Sequence, residues 1–467
     1  MFLKFINRTA ELEQLNRAHS AEGFQFIVIY GRRRVGKTEL IKRFISGKNA
    51  IYFLCDKSGT APNVARLKLK ISEFLDEPAI ATDDPGEIFS YFARKAPSDT
   101  VIVFDEFSYL IEKDDAIPSI FQRVIDETLK DTNMTLLLCG SSISLMIDGV
   151  LAHKSPLYGR KTGHMRLAPL ALKDIREFFP SFTREELIKT YAVLGGVPFY
   201  LAKFKDGVDV RDNIRAQILD KNGALYEETD FLLREELREP DVYKTIVAAV
   251  AAGATRVTEI ADKCQMKPND LDRYLKVLCR LGIVRKESPV TDLSGKGKAS
   301  RYVIDDPYFA FWFRFCEPRK ADLEIGDTTI VERLLDRDFN AFVGSAFEKI
   351  VREEQLRKLE RGRFTDIGRW WGYHQEAGQR KEIEIDAVGL NRETGEAGFF
   401  ECKWKELSLR EARTILEELK QKATYVEWQN QSRKEVYGIF ARKIYRKDSL
   451  REDGFIAYDL DDLQWTK

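Results

Sequence analysis

Histidine is scarce in this chain. The 467 residues hold four, His19, His153, His164 and His374. No two stand at ligand spacing, which argues against a histidine-rich metal site. Six cysteines (Cys55, Cys139, Cys264, Cys279, Cys316, Cys402) are scattered without a CxxC pair. They are expected as buried free thiols in a reducing cytoplasm, not as a disulfide framework or a zinc site. Net charge is lacking too: 75 Lys and Arg balance 75 Asp and Glu. Any nucleic-acid contact must therefore use a local patch. No run approaches ~18 apolar residues, so no transmembrane helix is expected. The first residues, MFLKFINRTAELEQL, lack an apolar core of signal-peptide length, and a cytoplasmic protein is expected. There is no internal repeat and no low-complexity segment.

What is present is a folded, multidomain pattern. A hydrophobic fraction of 44% in a chain this long allows two to four domains. Residues 1–165 alternate buried-strand patterns with helical ones: FIVIY (26–30), IYFL (51–54), TVIVF (100–104) and TLLLC (135–139). This predicts an α/β domain with a parallel sheet. Residues 166–235 are helical, punctuated by GGVP at Gly195–Pro198. Residues 236–310 read as three helices and a hairpin, the winged-helix pattern. The aromatic segment YFAFWFRF (308–315) is expected in a core. Residues 311–467 comprise a linker helix and a second α/β domain.

GRRRVGKT fits the phosphate-binding pattern G-x-x-x-x-G-K-[ST] in full. It follows a strand and opens a helix, as the chemistry requires. Glycines Gly31 and Gly36 let backbone N–H groups curl around phosphate oxygens. Lys37 offers a point charge to the outer phosphates, and Thr38 a hydroxyl to Mg²⁺. The cofactor-binding stretch comprises Gly31, Arg32, Arg33, Arg34, Val35, Gly36, Lys37, Thr38 and Glu39, with ATP and Mg²⁺ as the expected ligands. The second element is VIVFDEF (101–107). Asp105 would join the Mg²⁺ shell, and Glu106 would polarise the attacking water. A third strand ends in Ser141 and Ser142. Either hydroxyl could orient that water or sense the γ-phosphate; the alternative is a plain strand-end turn.

These segments, with NRTAEL near the start, SPLYGR, LAPLALKDIREFF and LGGVPFYL, together resemble the archaeal-type ATPases of the STAND branch of the AAA+ class. The resemblance spans roughly residues 1–240. It implies a nucleotide-binding core followed by a helical lid. It also implies Arg8 near the nucleotide, Pro198 touching the adenine, and Arg160 as an arginine finger or sensor. The alternative for Arg160 is a surface salt bridge. Arg32, Arg33 and Arg34 agree with the family pattern, their side chains expected to point away from the phosphates.

In the winged helix, Asn269, Arg273, Lys276 and Arg280 would be exposed on a recognition helix. Lys296, Lys298 and Arg301 on the wing could meet phosphates of DNA or RNA. Asp270 and Asp272 weaken that reading, and in STAND-type ATPases the element also serves as an internal clamp. Further on, KEIEIDAVGL alternates with Ile383, Ile385 and Ala387 on one face and Glu382, Glu384 and Asp386 on the other. In ECKW, Glu401 and Lys403 share a face. A carboxylate on one strand and E-x-K on the next is the PD-(D/E)XK nuclease pattern. It resembles the carboxy-terminal domains attached to this ATPase family. Asp386 and Glu401 would hold Mg²⁺ or Mn²⁺, Lys403 would position water, Glu348 would complete the cluster, and Gln421 would support it. The alternative is a solvated strand face. The composite expectation is a P-loop sheet with helical lid, a winged helix and a nuclease-like α/β domain. A homo-oligomer is possible; no membrane is involved.

Overall fold

A computed structural model describes residues 5–292, 299–376 and 379–465. Lys296 and Lys298 lie outside the described residues. The chain divides into two compact units: residues 1–170 with 197–199, and residues 171–196 with 200–467.

The first unit is a five-stranded sheet. Its strands are β1 (Gln25–Tyr30), β2 (Ala50–Leu54), β3 (Val101–Asp105), β4 (Thr135–Gly140) and β5 (Gly163–Arg166), in the order β2-β3-β4-β1-β5. Every pairing is parallel. Parallel strands need crossovers, and the crossovers cover both faces, so the central strands are apolar throughout. Alternation along each strand then sorts side chains between two cores. Phe26, Val28, Phe104 and Leu138 pack toward α3 (Thr60–Leu75) and α4 (Pro85–Lys95). Ile27, Ile29, Val103 and Cys139 pack toward α1 (Thr9–His19) and α2 (Lys37–Ile45). Strand β5, GHMR, lacks the apolar run that marks the other four strands. It is short and mostly polar, as an edge strand can be.

The second unit begins with helices, including α5 (Arg184–Leu194), whose Thr183 and Glu186 form a capping box. Then come α6 (Pro240–Ala251), α7 (Val257–Lys263) and α8 (Pro268–Leu281), followed by the antiparallel hairpin β6 (Val284–Glu287) and β7 (Arg301–Ile304). Helix α8 starts on Pro268 and stops at Gly282, which is left-handed at φ 74°. The aromatic segment is core, with Tyr308, Phe309, Phe311 and Trp312 fully buried. The long helix α9 (Thr329–Ile350) leads into a mixed sheet ordered β12-β11-β10-β9-β8. Its strands are β8 (Asp366–Glu376), β9 (Gln379–Asn391), β10 (Glu396–Leu407), β11 (Lys434–Ile444) and β12 (Ile456–Tyr458). β8, β9 and β10 pair antiparallel; β10, β11 and β12 pair parallel. The parallel step is bridged by α10 (Leu409–Ala423), which packs Leu416 and Leu419 on the sheet.

Candidate functional site

In the first unit, β4 lies between the strand carrying the P-loop and the strand carrying the Asp-Glu pair. The tips of β1 and β3 are thus two strand spacings apart, roughly 10 Å. Gly31 must be glycine: a β-carbon there would stand 2.5 Å from the Leu167 carbonyl oxygen. Gly36 caps α2 at φ 94°, which turns the loop's amides toward the helix axis. Lys37 is buried, its ammonium donating to the carbonyls of Gly31 (2.8 Å) and Arg32 (3.0 Å). Val35 anchors the loop in the core. Glu39 sits in the first turn of α2.

The carboxylate of Asp105 gathers donors. Its Oδ2 accepts from the Thr38 hydroxyl at 2.8 Å and the Tyr52 hydroxyl at 2.6 Å. Its Oδ1 accepts from the Glu106 amide at 3.0 Å. Burial, then the hydrogen bond to Asp105, raises the Tyr52 hydroxyl pKa, so it stays a donor. Glu106 is left-handed at φ 55°, unusual for a non-glycine residue. That turn aims its side chain at Ser141, whose hydroxyl donates to Oε2 at 2.5 Å and whose amide does so at 3.2 Å. Sequence reasoning found Ser141 but missed Tyr52; the available signal was a tyrosine in a buried strand, whose hydroxyl needs a partner.

The flanking residues separate. Arg8 lies against the loop, its guanidinium donating to the carbonyls of Val35 (3.2 Å) and Ala168 (2.6 Å) and to Glu11 (2.9 Å). Pro198 reaches within 4.0 Å of where a β-carbon on Gly36 would stand. Arg33 donates to the Tyr109 hydroxyl, and Arg34 stacks on Phe199 at 4.3 Å. Arg160 is not brought to the P-loop of its own chain. It pairs bidentately with Asp126 at 2.7 and 2.6 Å. The reason is topological. Arg160 precedes β5, which runs parallel to β1, and Thr162 already bonds the Phe26 carbonyl at the amino end of the sheet. The sensor reading in its own chain is therefore corrected in favour of the salt bridge.

In the second unit, Asp386, Glu401, Lys403 and Glu348 converge. The clean alternation expected of β9 does not hold. Gly368 pairs with Val388 and Trp370 with Ile385, so Asp386 and Ala387 together oppose Arg369. This bulge takes Ala387 out of the expected face and brings Val388 and Leu390 into the core with Ile383 and Ile385, while Asp386 keeps to the other side. The β9–β10 pairing ends at Ala387 and Phe400. In the opening, Asp386 Oδ2 accepts from the Cys402 amide at 2.8 Å and from the Lys403 ammonium at 3.3 Å. Glu401 Oε2 accepts from Lys403 and Oε1 from Lys422 at 2.8 Å. Gln421 does not join them. It is exposed on the outer side of α10, and Lys422, one residue on, makes the contact. A helix rotates by about 100° per residue, so a one-residue error points a side chain away.

Burial first, and Asp386 second, pushes the Glu348 carboxyl up to about 7. The same two causes raise Glu401. For Lys403, burial opposes the charge, but Asp386 and Glu401 more than offset it. Arg352 donates to the Asp386 carbonyl at 3.1 Å. Among the described residues, no three His, Cys, Asp or Glu side chains are grouped so as to hold a metal ion; lysines share the space. No helix among the described residues is long and apolar enough to cross a membrane.

The winged hairpin is engaged within its own unit. Arg301, expected at phosphates, pairs with Glu382 and with Glu384 at 2.5 Å, and stacks on Trp371 at 4.7 Å. On α8, Asn269, Arg273 and Lys276 are exposed and Arg280 half-buried; Lys276 pairs with Asp272 at 2.6 Å.

An uncharacterised protein of Methanocaldococcus jannaschii is 36% identical over 464 residues, covering 98% of this chain and 99% of its own length. A family described as an ATPase domain predominantly from Archaea matches residues 5–204. The chain belongs to this archaeal-type ATPase family. A second family, described as archaeal and bacterial proteins of unknown function, matches residues 312–415. Among solved structures, the chain is similar to the Walker-type ATPase of Pyrococcus abyssi, at 19% identity, 66% coverage of this chain, 96% of the other, and TM-score 0.49. It is also similar to the Aeropyrum pernix ORC2 protein at 15%, 72%, 97% and 0.45. The match covers the P-loop and the Asp-Glu strand, and the chain is accordingly an ATP-binding protein of the archaeal ATPase type.

Proposed function

We propose that the first unit hydrolyses ATP and thereby controls a nuclease-like site in the second. On the ATPase side, the support is the hydroxyl of Thr38 held 2.8 Å from Asp105, with Glu106 beside Ser141. Two hard oxygen donors at the sheet's carboxyl edge suit Mg²⁺. When bound, Mg²⁺ neutralises charge on the outer phosphates. Lys37 exchanges the carbonyls of Gly31 and Arg32 for those phosphates, Glu106 accepts a proton from the attacking water, and Arg8 braces the loop backbone. Pro198, beside Gly36, borders the nucleotide.

The observation that carries the second half is the convergence of Asp386, Glu401 and Lys403 where β9 and β10 part. Asp386 and Glu401 offer two carboxylates, now occupied by lysines; a pair of this kind would hold Mg²⁺ or Mn²⁺ only together with a phosphate and water. A metal there would supply Lewis acidity toward a phosphodiester of DNA or RNA. Lys403 would orient the water, and Glu348, near neutral pH, would hold or release its proton. A second reading is favoured by the capping of Glu401 by two lysines. In it, ATP drives a change of assembly, such as a homo-oligomer, and the carboxy-terminal domain binds DNA, RNA or a protein without cleaving.

The test is a cleavage assay on DNA and RNA with Mg²⁺ or Mn²⁺, with and without ATP. Cleavage abolished in both Asp386→Ala and Glu401→Ala, and no longer responsive to ATP in Lys37→Ala, supports the first reading. No cleavage of any nucleic acid under any of these conditions sinks it.

A further inference from the structure

Glu401 carries a lysine that the E-x-K motif does not contain. The residue is 3% exposed, and each carboxylate oxygen holds one ammonium: Lys403 on Oε2, Lys422 on Oε1 at 2.8 Å. Lys403 also reaches Asp386 at 3.3 Å. Two carboxylates thus face two ammoniums, and the carboxylate oxygens that would serve a divalent cation are taken up by lysines.

The two lysines are not equivalent. Lys403 is fixed on β10 between both carboxylates. Lys422 comes from the last turn of α10, and its side chain is 36% exposed. A flexible four-carbon stem lets its ammonium leave Glu401 without any backbone movement. An ammonium serves a phosphate oxygen as well as a carboxylate oxygen, so exchange between the two anions costs little. The geometry points to Lys422 as an exchangeable cap: it closes Glu401 in the absence of nucleic acid, and moves onto a backbone phosphate when a strand enters, opening Glu401 Oε1 to a divalent metal. Metal binding at this site is then conditional on a phosphodiester. The inference rests on the nuclease-like reading above and gives that reading a control independent of ATP.

The test follows Mn²⁺ by electron paramagnetic resonance in the full chain without nucleotide. The variants are wild type, Lys422→Met and Lys422→Arg, each with and without Asp386→Asn to isolate this site. In the absence of nucleic acid, Lys422→Met should bind Mn²⁺ at the Asp386-dependent site at least about tenfold tighter than wild type. Lys422→Arg, which keeps the charge, should stay near wild type. A short DNA or RNA duplex should raise wild-type affinity to that of Lys422→Met and leave Lys422→Met unchanged; whichever polymer does so is the ligand. An Asp386-dependent site of equal affinity in wild type and Lys422→Met overturns the exchange and leaves the nuclease-like reading standing. Equal behaviour of the Met and Arg variants, or a failure of both duplexes to tighten wild type, also overturns it. No Asp386-dependent Mn²⁺ in any arm overturns both the exchange and the reading beneath it.

Discussion

Replacing Glu348 by glutamine should remove a pH dependence from the stability of the second unit. Burial, then Asp386, moves this carboxyl from its ordinary 4.5 to about 7, despite the opposing pull of Arg369, Lys403 and Arg352. The folded chain therefore holds the proton more tightly than the unfolded chain does. The stabilisation is fully present below about pH 4.5 and is lost as pH rises through about 7. At 1.36 kcal/mol per pH unit, the shift corresponds to about 3 kcal/mol. Glutamine is a neutral isostere, so wild type and Glu348→Gln should have similar stability near pH 4.5. Wild type should then fall behind by about 3 kcal/mol by pH 8 and lose no more above it. All six tryptophans, from Trp312 to Trp465, lie in the second unit, so urea unfolding read by tryptophan fluorescence reports that unit. Chelator keeps metal out of the comparison. A difference that stays flat from pH 5 to 8, or one in which wild type gains, refutes the assignment of a strained, near-neutral carboxyl beside Asp386.

Three further outcomes are expected. Glu106→Gln should bind ATP like wild type yet turn it over ~10²–10⁴-fold more slowly, read by nucleotide binding beside phosphate release; equal losses in both would remove the general-base role. Gly31→Ala should destabilise the first unit by about 1–3 kcal/mol and weaken ATP binding, because its β-carbon meets the Leu167 carbonyl at 2.5 Å. Circular-dichroism melts and nucleotide titration check this, and an unchanged melting temperature would show the clash to be relieved. Arg301→Glu sets like charges against Glu382 and Glu384 and should lower the urea midpoint of the second unit while shifting the emission of Trp371. Adding Glu384→Arg should restore part of the loss; an unaltered midpoint in the single variant would mean the hairpin does not bear on the sheet.

The P-loop sheet was legible because parallel strands buried on both faces read as unbroken apolar runs, and the chemistry sits at their ends. Strand β5 escaped because an edge strand needs no such run: GHMR has a single buried residue, Met165. For Arg160 the sequence left a sensor role and a salt bridge open, because local sequence says nothing about which end of the sheet a segment enters. That follows from β5 pairing parallel to β1 at Ile27. In the carboxy-terminal sheet, Asp386, Glu401 and Lys403 were found by alternation, yet alternation itself breaks between them. The bulge at Asp386 and Ala387 leaves no mark in a sequence whose apolar residues still look evenly spaced. Gln421 and Lys422 differ by one helical step, and only the packing of Leu416 and Leu419 on the sheet decides which of them faces Glu401.

The charges around Asp386 also connect the winged hairpin to the carboxy-terminal site, because each link shares a residue with the next. Arg301 on β7 holds Glu384, and Arg369 holds the other oxygen of Glu384 at 2.6 Å. Arg369 is the residue that the bulge at Asp386 faces, and it is among the charges that pull Glu348 back toward ionisation. On β6, Glu287 pairs with Arg352 at 3.7 Å, and Arg352 donates to the Asp386 carbonyl. Both hairpin strands therefore end on an arginine that touches the surroundings of Asp386. Ion pairs this close and partly buried are lost together more readily than singly, since breaking one leaves its partner's charge uncompensated. Arg301 is thus committed to the carboxylates of Glu382 and Glu384, which ties the hairpin to the carboxy-terminal sheet.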